Sequence, residues 1–199
     1  MNKFMKALIN LPQTLSGLFL MEIDTLAHRE LVQVRLSNDQ WIPPPDMIKI
    51  NMDARYSSTT NSSFSGCIFR DSDGLIMAAC TYPNLFVSYS EMTEALACFQ
   101  AMSLTIDLGF RRVIMESDDL TVTLKINSKS EDRSNIGLII FNIKNKIEEF
   151  EQIIFMHVSR RLNNTAQVLA RIGNLFPTQM VWTEEAPQPV EAAAAINRW

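Results

Sequence analysis

Lys49-Ile50-Asn51-Met52-Asp53 alternates apolar and polar side chains and then reaches a carboxylate. As a β-strand it sends Ile48, Ile50 and Met52 to one face, and Lys49, Asn51 and Asp53 to the other. An Asp that closes a strand of a mixed sheet lies at the sheet rim, where ligands of open α/β folds bind. If two more carboxylates return to that point from elsewhere in the chain, the site is a cage for a metal ion.

Working outward, Trp41-Ile42-Pro43-Pro44-Pro45-Asp46 reads as an extended linker, because proline fixes its own φ and restricts the residue before it. The domain proper is expected over residues 41–176. Residues 1–40 form a poorly defined leader. Their first part carries Lys3 and Lys6 and is broken by Pro12, without the arginines or the small-residue cleavage site of a targeting peptide. A short amphipathic helix is expected over 26–36. Residues 177–199, with Pro187, Pro189 and an alanine run, read as a loosely attached tail.

Inside the domain, strands are expected over 47–53, 64–70 and 74–80. Asp71-Ser72-Asp73-Gly74 between the last two is a tight hairpin signal, with Gly supplying a positive φ. Residues 82–88 connect to a long helix capped by Ser90 and ending at Gly109, with Glu94 in its first turn. Its small residues Ala97, Cys98 and Ala101 would let it lie close against a sheet. A fourth strand over 112–115 runs into Glu116-Ser117-Asp118-Asp119, and a helix over 120–127 follows, with Asp118 or Asp119 as its cap. Ile136, Ile140, Ile143, Ile147 and Phe150 share a helical stripe. A fifth strand over 152–158 precedes a last helix over 164–175, capped by Asn163. The meander followed by alternating helices and strands predicts an α/β fold with a five-stranded mixed sheet, since parallel crossovers place helices on the sheet faces.

The composition narrows the function. At 47% hydrophobic and 20% charged residues the chain has the balance of a soluble globular protein, and no apolar run is long enough to span a bilayer. Three cysteines without ligand spacing suit a reducing, intracellular compartment, and two histidines make a zinc site of the usual kind a poor fit. The net charge of −4 argues against a protein that coats nucleic acid through basic residues. It leaves room for one that meets phosphates through cations held by carboxylates.

The order of Asp ending strand one, Glu opening the long helix and Asp ending strand four, on a meander, resembles the ribonuclease H fold. The more specific likeness is to plant reverse-transcriptase-like ribonuclease H domains, many related to non-LTR retrotransposons. Five patterns carry it over residues 41–175: Trp41 and the prolines before Lys49-Ile50-Asn51-Met52-Asp53; Phe69-Arg70-Asp71-Ser72-Asp73-Gly74; Glu94-Ala95-Leu96-Ala97; Glu116-Ser117-Asp118; and His157-Val158-Ser159-Arg160 with Asn163 and Ala166-Gln167-Val168-Leu169-Ala170.

The resemblance implies metal-dependent endonucleolytic hydrolysis of the RNA strand of RNA–DNA hybrids. Two Mg2+ ions, replaceable by Mn2+, would lie about 4 Å apart. Asp53, Glu94 and Asp118 would be the catalytic metal ligands, and Gln167 would stand at a degenerate fourth ligand position. Ala54, Arg55, Arg160 and Asn163 would meet the nucleic acid. A monomer in nucleus or cytoplasm is expected, with organelle delivery by the first residues left open. Two departures weaken the expected activity. Gln167 replaces an acid, and one unit-charge contact at about 4 Å is worth roughly 4 kcal/mol at an effective dielectric of 20. Ala54 replaces a glycine that would let backbone approach a ligand. The alternative is a catalytically silent nucleic-acid-binding or retroelement-derived domain. His157 reads as structural and Asp119 as solvated.

Overall fold

A computed structural model describes residues 43–196. The expected leader, its 26–36 helix and Trp41 lie outside the described residues. Pro45 and Asp46 form a turn, with the Met47 N–H donating to the Pro44 carbonyl at 3.0 Å, where the proline run had suggested an extended approach.

Six strands form one mixed sheet: β1 (Ile48–Ser57), β2 (Ser62–Arg70), β3 (Ile76–Leu85), β4 (Arg112–Ser117), β5 (Gln152–His157) and β6 (Met180–Thr183). Their order is β5-β4-β1-β2-β3-β6. β1 and β2 are antiparallel, as are β2 with β3 and β3 with β6, while β4 runs parallel to β1 and to β5. The expected five strands are present and a sixth is added. β6 is four residues long and lies in the stretch read as tail. A segment that short carries no readable alternation; its pairing with β3 makes it a strand.

Two strands also run further than expected. β1 continues four residues past Asp53, to Ser57, because β2 keeps pairing with it as far as Ser57↔Ser62. β3 continues through Pro83 to Leu85. β6 pairs only with residues 78–81 of β3, so Pro83 sits where β3 is an edge and no partner requires its missing N–H.

Helices cover both faces. One face carries α1 (Ser90–Asp107), α2 (Leu120–Asn127) and α3 (Gly137–Lys146), around a core including Ile50, Cys67, Cys98, Ala101, Ile140 and Ile143. Within α1 the small residues Ala97, Cys98 and Ala101 are buried, so the small-residue face lies on the sheet as expected. Gly109, at φ 80°, follows the end of α1, and Gly74, at φ 75°, completes the β2–β3 hairpin, where Asp71 Oδ1 accepts from the N–H groups of Asp73 and Leu75.

The opposite face carries α4 (Asn164–Ile172) and α5 (Gln188–Ile196). Ile68, Ala79, Ala166, Leu169, Ala186 and Val190 form a second core there. Gly66 lets α4 lie on β2: a Cβ at this position would strike the Ala170 backbone nitrogen and stand 2.9 Å from the Ala166 carbonyl. Gly66→Ala is therefore expected to cost about 3 kcal/mol or more, because the obstacle is backbone and cannot rotate away. A urea midpoint unchanged from the parent would contradict this seating of α4.

Candidate metal and nucleic-acid site

β4 pairs with β1 only from Ile48↔Val113 to Asn51↔Glu116. Beyond that point β1 goes on with β2, and the chain leaving β4 turns away through Asp118. Asp53 therefore lies within β1, opposite Gly66 of β2, at the fork where β1 and β4 separate. It was expected to end its strand; it lies two residues past the part shared with β4, which stops at Asn51, and β1 runs on to Ser57. Glu94 reaches the same fork from the first turns of α1, and the Ala54 backbone N–H hydrogen-bonds to it.

The three acids repel one another. Burial, then the Asp118 carboxylate in hydrogen-bond contact, pushes the Asp53 carboxyl up to about 7. Burial, followed by the charges of Asp53, Asp119 and Asp118, pushes Glu94 up to about 9. Glu94 Oε2 is buried without a hydrogen-bond partner. Arg160 and Arg171, both exposed, lie near enough to oppose the rise at Asp53.

Asp118 is held from the α4 side. Asn163 Nδ2 donates to its Oδ1 at 2.7 Å, and Gln167 Nε2 donates to its Oδ2 at 3.2 Å. Asn163 Nδ2 also donates to the Met52 carbonyl at 2.8 Å, and Gln167 Nε2 to the Arg160 carbonyl at 2.8 Å. Asn163 was expected to cap the last helix. It occupies the N-cap position but makes no capping hydrogen bond, because its amide spans from β1 to Asp118.

The remaining expected residues are placed as follows. Arg55 is exposed, with Nη1 donating to the Arg171 carbonyl at 3.3 Å. Ala54 is next to Asp53 in an unbroken register, so its methyl emerges on the opposite face. Of the two expected caps of α2 it is Asp119 that serves, its Oδ1 accepting from the Val122 N–H at 2.8 Å, and it is half-buried where solvation was expected. His157 is exposed at the end of β5, so it is not the structural core residue that its strand position suggested. Arg171 escaped the sequence reading. Its signal was helical spacing, four residues after Gln167 on α4.

The donor chemistry fits a hard divalent cation. Three carboxylates supply oxygens, the nearby arginines and amides offset their repulsion only in part, since Asp53 and Glu94 both stay raised, and Glu94 has an unused buried oxygen. Of the three acids only Asp53 and Asp118 are in direct contact, and among the described residues no group of three or more histidine, cysteine, aspartate or glutamate side chains is arranged to hold a metal ion.

Residues 51–173 match the family described as reverse transcriptase-like. No curated protein matches the chain. Among solved structures, RNase H1 of the archaeon Halobacterium salinarum is similar at 18% identity and TM-score 0.59, over 64% of this chain and 97% of that one. The N-terminal RNase H domain of a Mycobacterium tuberculosis protein is similar at 14% identity and TM-score 0.58, over 75% and 97%. LC11-RNase H1, isolated from compost by a metagenomic approach and solved in complex with an RNA/DNA hybrid, is similar at 15% identity and TM-score 0.55, over 62% and 94%. The fold is that of ribonuclease H.

Proposed function

Because the chain belongs to the reverse transcriptase-like family, we propose that it is a metal-dependent nuclease that cuts the RNA strand of RNA–DNA hybrids. The observation carrying this reading is the fork of β1 and β4. There Asp53 and Asp118 are in contact, and Glu94 lies close behind with an unpartnered buried oxygen. Two acids in contact, with a third near enough for their charges to raise it, support a site kept for a ligand that neutralises them.

Asp53, Glu94 and Asp118 would hold magnesium. When bound, the ion supplies Lewis-acid stabilisation of the phosphodiester and activates water. The chain's own residues do the rest. Asn163 and Gln167 fix the Asp118 carboxylate from both sides. Arg55, Arg160 and Arg171 form an exposed cationic border beside Asp53, suited to backbone phosphates. Discrimination of a hybrid rests on groove shape and the 2′-hydroxyl. Cleavage of a labelled RNA–DNA hybrid with magnesium or manganese tests the proposal. A folded protein that leaves the hybrid intact with either metal would sink it.

One observation favours a binding domain without efficient chemistry. Gln167 points N–H donors at Asp118 where an acid would add a metal-binding oxygen. Gln167→Asp should strengthen magnesium binding and raise cleavage, and lower metal-free stability by placing a further acid against Asp118. Calorimetric titration and urea unfolding in EDTA read the two effects separately. Equal magnesium affinity in parent and variant would remove Gln167 from the metal's surroundings.

A further inference from the structure

Beneath the fork lies a polar cluster buried as completely as the apolar core. Asn51 and Glu116 are 0% exposed, Arg70 1% and Asn163 0%. Its hydrogen bonds have a direction. Arg70 Nη2 donates to Asn51 Oδ1 at 2.7 Å. That contact leaves the Asn51 amide nitrogen facing the other way, where Nδ2 donates to Glu116 Oε2 at 2.7 Å and reaches Asn163 Oδ1 at 3.4 Å. Lys49 Nζ stands 3.2 Å from Glu116 Oε1 as an ion pair. With its oxygen turned toward Asn51, Asn163 must present its nitrogen to the Met52 carbonyl and to Asp118.

An amide can rotate by half a turn at little cost in shape, exchanging donor for acceptor. Asn163 reversed would aim an oxygen at the Asp118 carboxylate. Here the charged groups at the bottom of the chain exclude that rotamer: Arg70 orients Asn51, Glu116 confirms it, and Asn51 orients Asn163. We infer that Asn51 and Glu116 are positioning residues that set the Asn163 amide, and through it the carboxylate of Asp118, for a divalent cation. The inference rests on the proposed magnesium site for its functional consequence, and on the hydrogen bonds alone for its structural part.

The test uses the full chain and two variants, Asn51→Ser and Glu116→Gln, the second nearly isosteric. Ile140→Val, in α3 on the other face, serves as a control for simple loss of stability. Magnesium affinity is measured by calorimetry at a temperature where circular dichroism shows each protein folded. Loss of partners that orient metal ligands weakens binding about 10- to 100-fold. A weakening of that size is expected for both variants and not for Ile140→Val. The Asn163 side-chain NH2 resonances give the metal-independent measurement. In the parent they should be two resolved signals exchanging slowly with solvent, and in Asn51→Ser they should exchange faster and shift. If the parent binds neither magnesium nor manganese, the proposed function fails, and the NMR result alone decides the positioning role. Unchanged Asn163 signals in a folded Asn51→Ser, or unchanged magnesium affinity in both variants when the parent binds it, overturns the inference.

Discussion

Asp53→Asn is expected to lower hybrid cleavage by on the order of 10³-fold and, in the same protein, to raise the melting temperature without metal. The loss follows from removing a charged oxygen at the centre of the three acids. Deleting one preorganised electrostatic group from an active site already costs about 10²- to 10³-fold. The gain in stability follows from the same contact. Burial and Asp118 raise the Asp53 carboxyl to about 7, so at pH 8 the folded protein carries an ionised group that the surroundings disfavour. The displacement corresponds to roughly 4 kcal/mol as an upper bound. In a domain of this size about 1 kcal/mol moves Tm by 2–4 °C. Thermal unfolding in EDTA at pH 8, beside the cleavage assay, checks both halves. An asparagine variant that melts below the parent would show that the acid stabilises the fold and that the three carboxylates are not in conflict.

The second large effect is a stability that declines with rising pH when metal is absent. Asp53 and Glu94 both have folded-state values above their ordinary ones, about 7 against 3.8 and about 9 against 4.5. Between those limits the folded chain keeps protons that the unfolded chain has released. Stability from these groups is therefore complete below about pH 4 and is lost as pH rises through 7 and then 9. Each retained proton contributes a slope of about −1.4 kcal/mol per pH unit. Urea midpoints in EDTA should fall from pH 5.5 to pH 8.5, and magnesium should restore the loss at the alkaline end by binding only the folded state. A midpoint that rises over this range would contradict the burial of both acids.

Much of this was readable from residue order. Asp53, Glu94 and Asp118 stood out as candidates through their joint order, after a strand pattern, at a helix start and at a strand-to-helix turn, and not through any one position. The hairpin at Asp71–Gly74 announced itself through local chemistry alone. What escaped reading depends on neighbours in space. Lys49 and Asn51 look like the solvent face of an alternating strand, yet they are 6% and 0% exposed because α4 covers that face. Nothing in their own segment says so. Glu116 and Arg70 join them through strand register, which no local pattern states. Asn163 resembles a helix cap by position, and only the nearness of Asp118 gives its amide different work. β6 is too short to signal itself.

The match to the reverse transcriptase-like family stops at residue 173, but α4 does not stand alone there. Val190 and Ala186 from the following segment close over Ala166 and Leu169, and β6 ties that segment to the sheet through β3. The helix that presents Asn163 and Gln167 to Asp118 is thus clasped between a sheet and a fastener supplied by residues 180–196. Any partner, protease or modification that unfastens that clasp would loosen the grip on Asp118 from a distance, without touching a single acid.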